Sequence, residues 1–248
     1  MGNIPENQIF SLDAVHLRFD PDEHPWRVAE SEAVDAHWQR EQRERPWLYN
    51  GTVMLHRGLT FEHGVISGVS HRVPFAALLH WLKIRPEADA WHLFGSAVIL
   101  SGDGAMLLIR MAANTANPGR VYAPAGSLDP SDIAADLVDV DGAIRREALE
   151  ETGLDLMEAE AEGRLLCWRH GRMVSVFRRF RYAETAEQLV ARIREHVRTS
   201  AEQEIDDVVV VCAPADAGAT APDYMQALLA YHFDARQIGT AWQGNGIG

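Results

Sequence analysis

Arg146-Glu147-Ala148-Leu149-Glu150-Glu151-Thr152-Gly153-Leu154 is the stretch that decides how this chain is read. Glu147, Glu150 and Glu151 stand at i, i+3 and i+4, so on a helix they share one face. Ile144 and Ala148 point elsewhere and supply an apolar side for a core. The spacing predicts a helix over Ala143 to Thr152, stopped by Gly153. Like-charge pairs at this spacing cost roughly 0.2–0.5 kcal/mol each. Glu150 and Glu151 also fall in the last turn, where the helix dipole favours cations. Two compensations are open. One is a divalent cation held by hard oxygen ligands. The other is a solvated acidic face, with Arg146 and Glu150 as an ordinary i, i+4 pair.

Outward from this helix, strands and helices mix without strict alternation. Ser96 to Leu100 and Ala105 to Met111 are apolar, strand-like runs joined by Ser101-Gly102-Asp103-Gly104, a hairpin signal. Val121 to Ala123 reads as a short strand leading into Pro124-Ala125-Gly126. Leu165 to Arg169 and Met173 to Tyr182 read as strands with His170-Gly171-Arg172 as their turn. Thr185 to Val197 is helical, Asp207 to Cys212 is a buried strand, and Tyr224 to Phe233 is a last helix. Residues 1–90 read as irregular, apart from helical candidates at Ala29 to Glu44 and Val73 to Ile84. The expected class is α+β, a mixed sheet sandwiched by helices. A composition change near residue 91 divides the chain into an extension, 1–90, and a domain, 91–248.

Composition excludes several roles. The chain has 248 residues, with 23 basic and 36 acidic side chains and a net charge of −13. That speaks against a nucleic-acid binder held by phosphate contacts and against docking on an anionic membrane. No apolar run approaches the ~18–20 residues of a membrane helix. The first residues lack the pattern of a signal peptide. Cys167 and Cys212 are too few for a disulfide framework or a cysteine zinc site, and both read as buried free thiols. A reducing, cytoplasmic setting is the expectation. Gly68-Val69-Ser70-His71-Arg72 fails the nucleophile-elbow pattern at its last place. There is no Gly-Lys pair for a phosphate-binding loop and no H-E-x-x-H.

Arg146 to Leu154 resembles the core of the Nudix hydrolase box, G-x5-E-x7-R-E-U-x-E-E-x-G-U, where U is a bulky aliphatic. The R-E, E-E, G and final U places are matched, and Gly126 supplies the leading glycine. Asp132 stands where the family has Glu, Ala148 replaces the bulky aliphatic, and 13 residues instead of 7 separate Asp132 from Arg146. The resemblance implies a Nudix-type α/β/α sandwich that hydrolyses a nucleoside diphosphate linked to another group, with Mg²⁺ or Mn²⁺ as cofactor. It implies that Glu147, Glu150 and Glu151 ligate metal and that Arg146 orients Glu147. A further acid is expected near the late strand, Glu204 first and Glu202 second. The Gly126 backbone is free to approach metal or phosphate closely, having no side chain.

The leading 90 residues exceed what such a domain needs. His37-Trp38-Gln39-Arg40, Arg45 to Gly51 and Thr52-Val53-Met54-Leu55-His56 are similar to the N-terminal part of UDP-sugar-cleaving Nudix diphosphatases. A UDP-sugar or other nucleotide sugar is therefore the expected substrate, with ADP-ribose or a dinucleotide as the alternative. A Nudix-fold nucleotide sensor without turnover is the reading from another class, and the intact R-E…E-E places count against it. Trp47 is the candidate for stacking a base or ribose, with Trp81 and Trp91 behind it; a core role is the ordinary alternative. The expected partner is a small nucleotide diphosphate, not nucleic acid or membrane, and a homodimer is an open arrangement.

Overall fold

Every residue of the strand His92–Leu100 is buried. Such a strand needs neighbours on both edges and cover on both faces, and the computed structural model, which describes residues 3–200 and 204–234, supplies them. The chain runs β1 (Phe10–Leu12), β2 (Ala14–Asp20), α1 (Pro25–Ala29), α2 (Ser31–Glu44), β3 (Thr52–Glu62), β4 (Val65–Pro74), α3 (Phe75–Ile84) and β5 (His92–Leu100). It continues through β6 (Met106–Met111), β7 (Val121–Tyr122), β8 (Ala125–Ser127), β9 (Ile133–Ala134), β10 (Leu137–Val138) and α4 (Val140–Thr152). It ends with β11 (Glu160–Ala161), β12 (Leu165–His170), β13 (Met173–Arg181), α5 (Ala186–Thr199), β14 (Ile205–Val211) and α6 (Asp223–Phe233).

The larger sheet has the order β1-β12-β13-β5-β6-β14, with β7, β8 and β11 attached to β6, β5 and β13. It is mixed: β5 and β13 are parallel, and the other pairings are antiparallel. Alternation along β5 divides its side chains between two cores. Leu93, Ala97 and Ile99 join Ile144 of α4 and Leu189 and Ile193 of α5. Val98 and Leu100 join Met225, Leu228 and Leu229 of α6. Helices therefore cover both faces, as the α+β sandwich expectation requires. Each large apolar side chain fully buried there is worth roughly 1.5–3 kcal/mol.

Residues 1–90 are not irregular, contrary to the sequence reading. They contain three strands of a second sheet of order β3-β4-β2-β10-β9. Its central pair, β2 and β4, is parallel and joins residues about fifty apart in sequence, such as Ala14 and Val65. Such a pairing leaves no local signature. The two sheets trade strands across residue 90. β1 pairs with β12 in the large sheet, and β10 pairs with β2 in the small one. The extra residues between Asp132 and Arg146 now have a form. Residues 133–138 make a tight hairpin, β9 and β10, with Ala135 at a φ of 57°, and it docks on β2.

Cys167 is buried as expected, but Cys212 is exposed, because β14 ends at Val211. Among the described residues no helix is long and apolar enough to cross a membrane.

Candidate functional site

α4 begins at Asp139, whose side chain accepts a hydrogen bond from the Gly142 N–H at 2.9 Å. Val140, Ala143, Ile144 and Ala148 bury its apolar side. It stops at Gly153, whose φ of 69° is left-handed and free of strain only in glycine. The last turn contains no basic residue. His196 of α5 supplies the missing donor: its Nε2–H donates to the Glu150 carbonyl at 2.8 Å.

The acidic face turns inward, onto β8. A Cβ on Gly126 would lie 1.9 Å from Glu147 Cδ and 2.1 and 2.2 Å from its oxygens. Only glycine lets that carboxylate lie against the backbone. One turn on, Glu151 is buried and accepts the Ala125 N–H at 2.9 Å. Glu150 is half exposed. These three, with Glu204, His196 and Ser200, line a pocket of about 180 Å³. The structure thus gathers Glu147, Glu150, Glu151 and Glu204 around one space and sets Gly126 against Glu147. Glu202 lies outside the described residues.

Arg146 organises the surroundings. Its Nη1 reaches Glu147 Oε1 at 2.9 Å and Glu150 Oε2 at 3.0 Å. Its Nε and Nη2 donate to the two oxygens of buried Asp132, both at 3.2 Å, and Asp129 stands at 3.5 Å. One guanidinium therefore serves four carboxylates. Asp132 itself is fixed by the Asp129 N–H at 2.8 Å. Burial works against the Arg146 charge, but the Asp132 hydrogen bonds and the charge of Glu147 outweigh it and raise its pKa.

Both compensations left open by the sequence leave a remainder. Arg146 pairs with Glu150 and Glu147, but among the described residues Glu151 has no cationic partner. Burial, opposed by Arg146 and reinforced by Glu150, lifts the Glu147 carboxyl from 4.5 to about 7. Burial and then the charge of Glu147 lift Glu151 well above the carboxylate range. Among the described residues no three carboxylate, imidazole or thiol groups are already gathered to hold a metal ion. The donor set nevertheless fits a hard divalent cation: carboxylate oxygens only, one of them buried and repelled by its neighbour.

On the other side of β8 opens a cleft of about 1360 Å³ that includes Ala125, Gly126 and Ser127 in its wall. α3, the β12–β13 turn and the segments 116–120 and 219–224 complete it. Trp91 and Trp168 line it, as does Trp81, which is buried and donates from Nε1 to the Ala90 carbonyl at 2.9 Å. Trp47 is half exposed and lines neither the cleft nor the acidic pocket. Sequence reading missed His196, the bidentate role of Asp132, and the cleft residues Arg85, Arg120, Arg169, Arg172, Trp168 and Tyr224. Of these only Asp132 had a signal, its place six residues after Gly126.

The NUDIX domain profile matches residues 94–231. Among solved structures, a MutT protein from Methanosarcina mazei Go1 is 16% identical, with a TM-score of 0.39 over 57% of this chain and 92% of its own. A bifunctional NMN adenylyltransferase/ADP ribose pyrophosphatase from Francisella tularensis is 12% identical, with a TM-score of 0.41 over 67% of this chain and 46% of its own. An Ap4A hydrolase from C. elegans is 17% identical, with a TM-score of 0.38 over 59% of this chain and 98% of its own. No curated protein matches the chain.

Proposed function

Because this chain belongs to the NUDIX family of hydrolases, we propose that it cleaves the diphosphate of a nucleoside diphosphate linked to another moiety, with Mg²⁺ or Mn²⁺. The observation that carries this reading is the shared wall: strand β8 has the Glu147–Glu151 carboxylates on one side and an open cleft on the other. Glu147, Glu150 and Glu151 would hold the metal, with Glu204 as a further ligand from the start of β14. When bound, the metal neutralises the diphosphate and lowers the pKa of a water.

The chain's own residues do the rest. The Ala125 N–H fixes Glu151, and Arg146 holds Glu147 and Glu150 in place while Asp132 holds Arg146. Gly126 lets the substrate's phosphates approach from the cleft without a side chain between. A carboxylate of the acidic pocket receives the proton of the attacking water. The cleft takes the organic part of the substrate. Residues 1–90 contribute α3 to its wall, which gives this segment a part in substrate choice.

A nucleotide sugar such as a UDP-sugar is the first substrate in this reading, and it rests on the sequence stretch from His37 to His56. ADP-ribose or a dinucleotide is the second. The test is a panel of UDP-, ADP-, GDP- and CDP-linked compounds, dinucleotides and CoA, assayed for phosphate products with Mg²⁺ and Mn²⁺. Metal-dependent hydrolysis of at least one, lost in Glu151→Gln, is expected. No hydrolysis of any member, or activity unaffected by chelator, would overturn the reading. A Mn²⁺-soaked crystal with no density near Glu204 would remove that residue from the ligand set.

A further inference from the structure

The cleft reverses the charge of the protein around it. Arg85, Arg120, Arg169 and Arg172 line it, and Glu87 and Asp223 are its lining carboxylates, whereas the whole chain carries −13. Arg169 is neutralised by Glu6 at 3.0 Å. Among the described residues, no carboxylate is paired with Arg85 or Arg120. Arg85 lies 5.2 Å over the Trp81 ring with its Nη1 3.2 Å from Met173 Sδ. Arg172 lies 4.4 Å over the Trp91 ring, and its carboxylate neighbour, Asp89, is 4.0 Å away. The Asp89 oxygens are already engaged by the Gly58 N–H and Trp91 Nε1–H. Partial burial and then the charge of Arg120 pull the Arg85 pKa down.

Arg85, on Met173, and Arg172 sit away from the acidic pocket. Gly126 pairs with Gly95 on β5, whereas Met173, next to Arg172, is in register with His92. His92 and Gly95 are three residue steps apart along β5, or ~10 Å. Arg172 is held over Trp91, the residue before His92, so its charge stays at that end. A diphosphate seated at Gly126 leaves this end of the cleft to a different group of the same substrate. A neutral sugar there would leave the guanidiniums uncompensated, whereas a phosphate would accept charge-assisted hydrogen bonds from them.

We propose that Arg85 and Arg172, with Arg120 beside them, form an anion subsite that selects nucleoside diphosphate derivatives carrying a further phosphate at the end remote from the cleaved bond. This rests on the proposed function in taking the Glu147–Gly126 contact as the place of cleavage.

The binding test needs neither metal nor turnover. Calorimetry in EDTA compares adenosine and uridine 3′,5′-bisphosphates with the matching 5′-monophosphates. One bisphosphate is expected to bind at least about tenfold tighter than its monophosphate, and Arg85→Gln and Arg172→Gln are each expected to reduce that ratio to below about three. The kinetic test compares NADPH with NADH, and CoA with dephospho-CoA. The extra phosphate is expected to lower KM about tenfold in at least one pair with little change in kcat. Equal binding within both nucleotide pairs, or an advantage that survives both variants, would overturn the subsite. Normal hydrolysis with equal KM within each pair would also sink it while sparing the proposed function. Absent hydrolysis with preserved bisphosphate preference would do the reverse.

Discussion

Gly126→Ala separates the geometry of the acidic pocket from the stability of the fold. The new Cβ would meet Glu147 Cδ at 1.9 Å, where ordinary contact begins at 3.4 Å, so the carboxylate must retreat by about 1.5 Å. It is the end of a flexible side chain and can move without shifting backbone. Gly126 has no left-handed φ, so alanine strains nothing there. Replacing glycine within a strand removes unfolded-state entropy, a gain of roughly 0.4–1 kcal/mol that offsets part of the lost packing. The melting temperature should stay within about 5 °C of the parent. Activity should not survive as well. A catalytic group displaced by ~1 Å can cost about 100-fold, so a loss of at least that size in kcat/KM is expected with Mg²⁺ saturating. The assay is phosphate release from whichever panel compound the parent cleaves best, alongside thermal unfolding of the same preparation. A variant with at least a third of the parental kcat/KM would refute the claim that Glu147 must lie against the Gly126 backbone. An unfolded variant would refute the claim that the side chain alone absorbs the clash.

Glu151→Gln should reduce turnover to below about 1% of the parent, while the metal-free protein melts at the same temperature or higher, because a buried carboxyl already raised in pKa loses a charge it can scarcely carry; parental turnover would dismiss the metal assignment. Asp132→Asn removes the charge from the bidentate partner of Arg146; kcat is expected to fall about tenfold with KM changed less than about twofold, at a stability cost of roughly 1–3 kcal/mol, and an unchanged kcat would reduce Asp132 to a structural cap. His56 is buried, with its Nδ1 on Ser70 Oγ at 2.8 Å, and burial lowers its pKa from 6.5 to about 3. A depressed imidazole pKa contributes stability that is complete above pH 6.5 and is lost as the pH falls toward 3, or about 3 kcal/mol by pH 4. Urea unfolding should therefore show a smaller pH 7-to-4 loss in His56→Asn than in the parent, and identical losses would mean that the buried imidazole is not held neutral.

What was legible in the sequence was local. The helix Val140–Thr152 announced itself by spacing and by Gly153, and the β5–β6 and β12–β13 hairpins by apolar runs around turn residues. What was hidden depends on contacts between distant segments. The second sheet joins β2 to β4 in parallel: β2 alternates Val15, Leu17 and Phe19 with His16, Arg18 and Asp20, a strand pattern that sequence reading passed over, whereas β4 has no clean alternation, and the pairing between them is not local. The cleft is assembled from Arg85, Arg120, Arg172 and Tyr224, each on a different segment, so no window of sequence contains it. Trp47 drew attention as an aromatic beside Pro46, yet its half-exposed position gives it no place in the cleft wall. The acids were visible as a charged face, but their inward turn depends on a strand twenty residues upstream having glycine at 126.

The lengthened stretch between Asp132 and Arg146 connects these two kinds of feature. Residues 133–138 leave the acidic pocket, form the β9–β10 hairpin against β2 through Val138 and Leu17, and return at Asp139, which caps α4. Asp132 precedes the hairpin and holds Arg146; Asp139 follows it and starts the helix that carries Glu147, Glu150 and Glu151. The Asp139 N–H also donates to the Asp132 carbonyl at 2.8 Å, closing the base of the hairpin. Both ends of the insertion are thus fixed at residues the pocket depends on, while its tip is a strand of the N-terminal sheet. The same sheet precedes α3, which lines the cleft with Phe75, Leu78 and Leu79. Residues 1–90 therefore meet the candidate site by two routes, through α3 in the cleft wall and through the pairing of β2 with β10 before the helix of carboxylates. An extension joined only by a linker would have neither route.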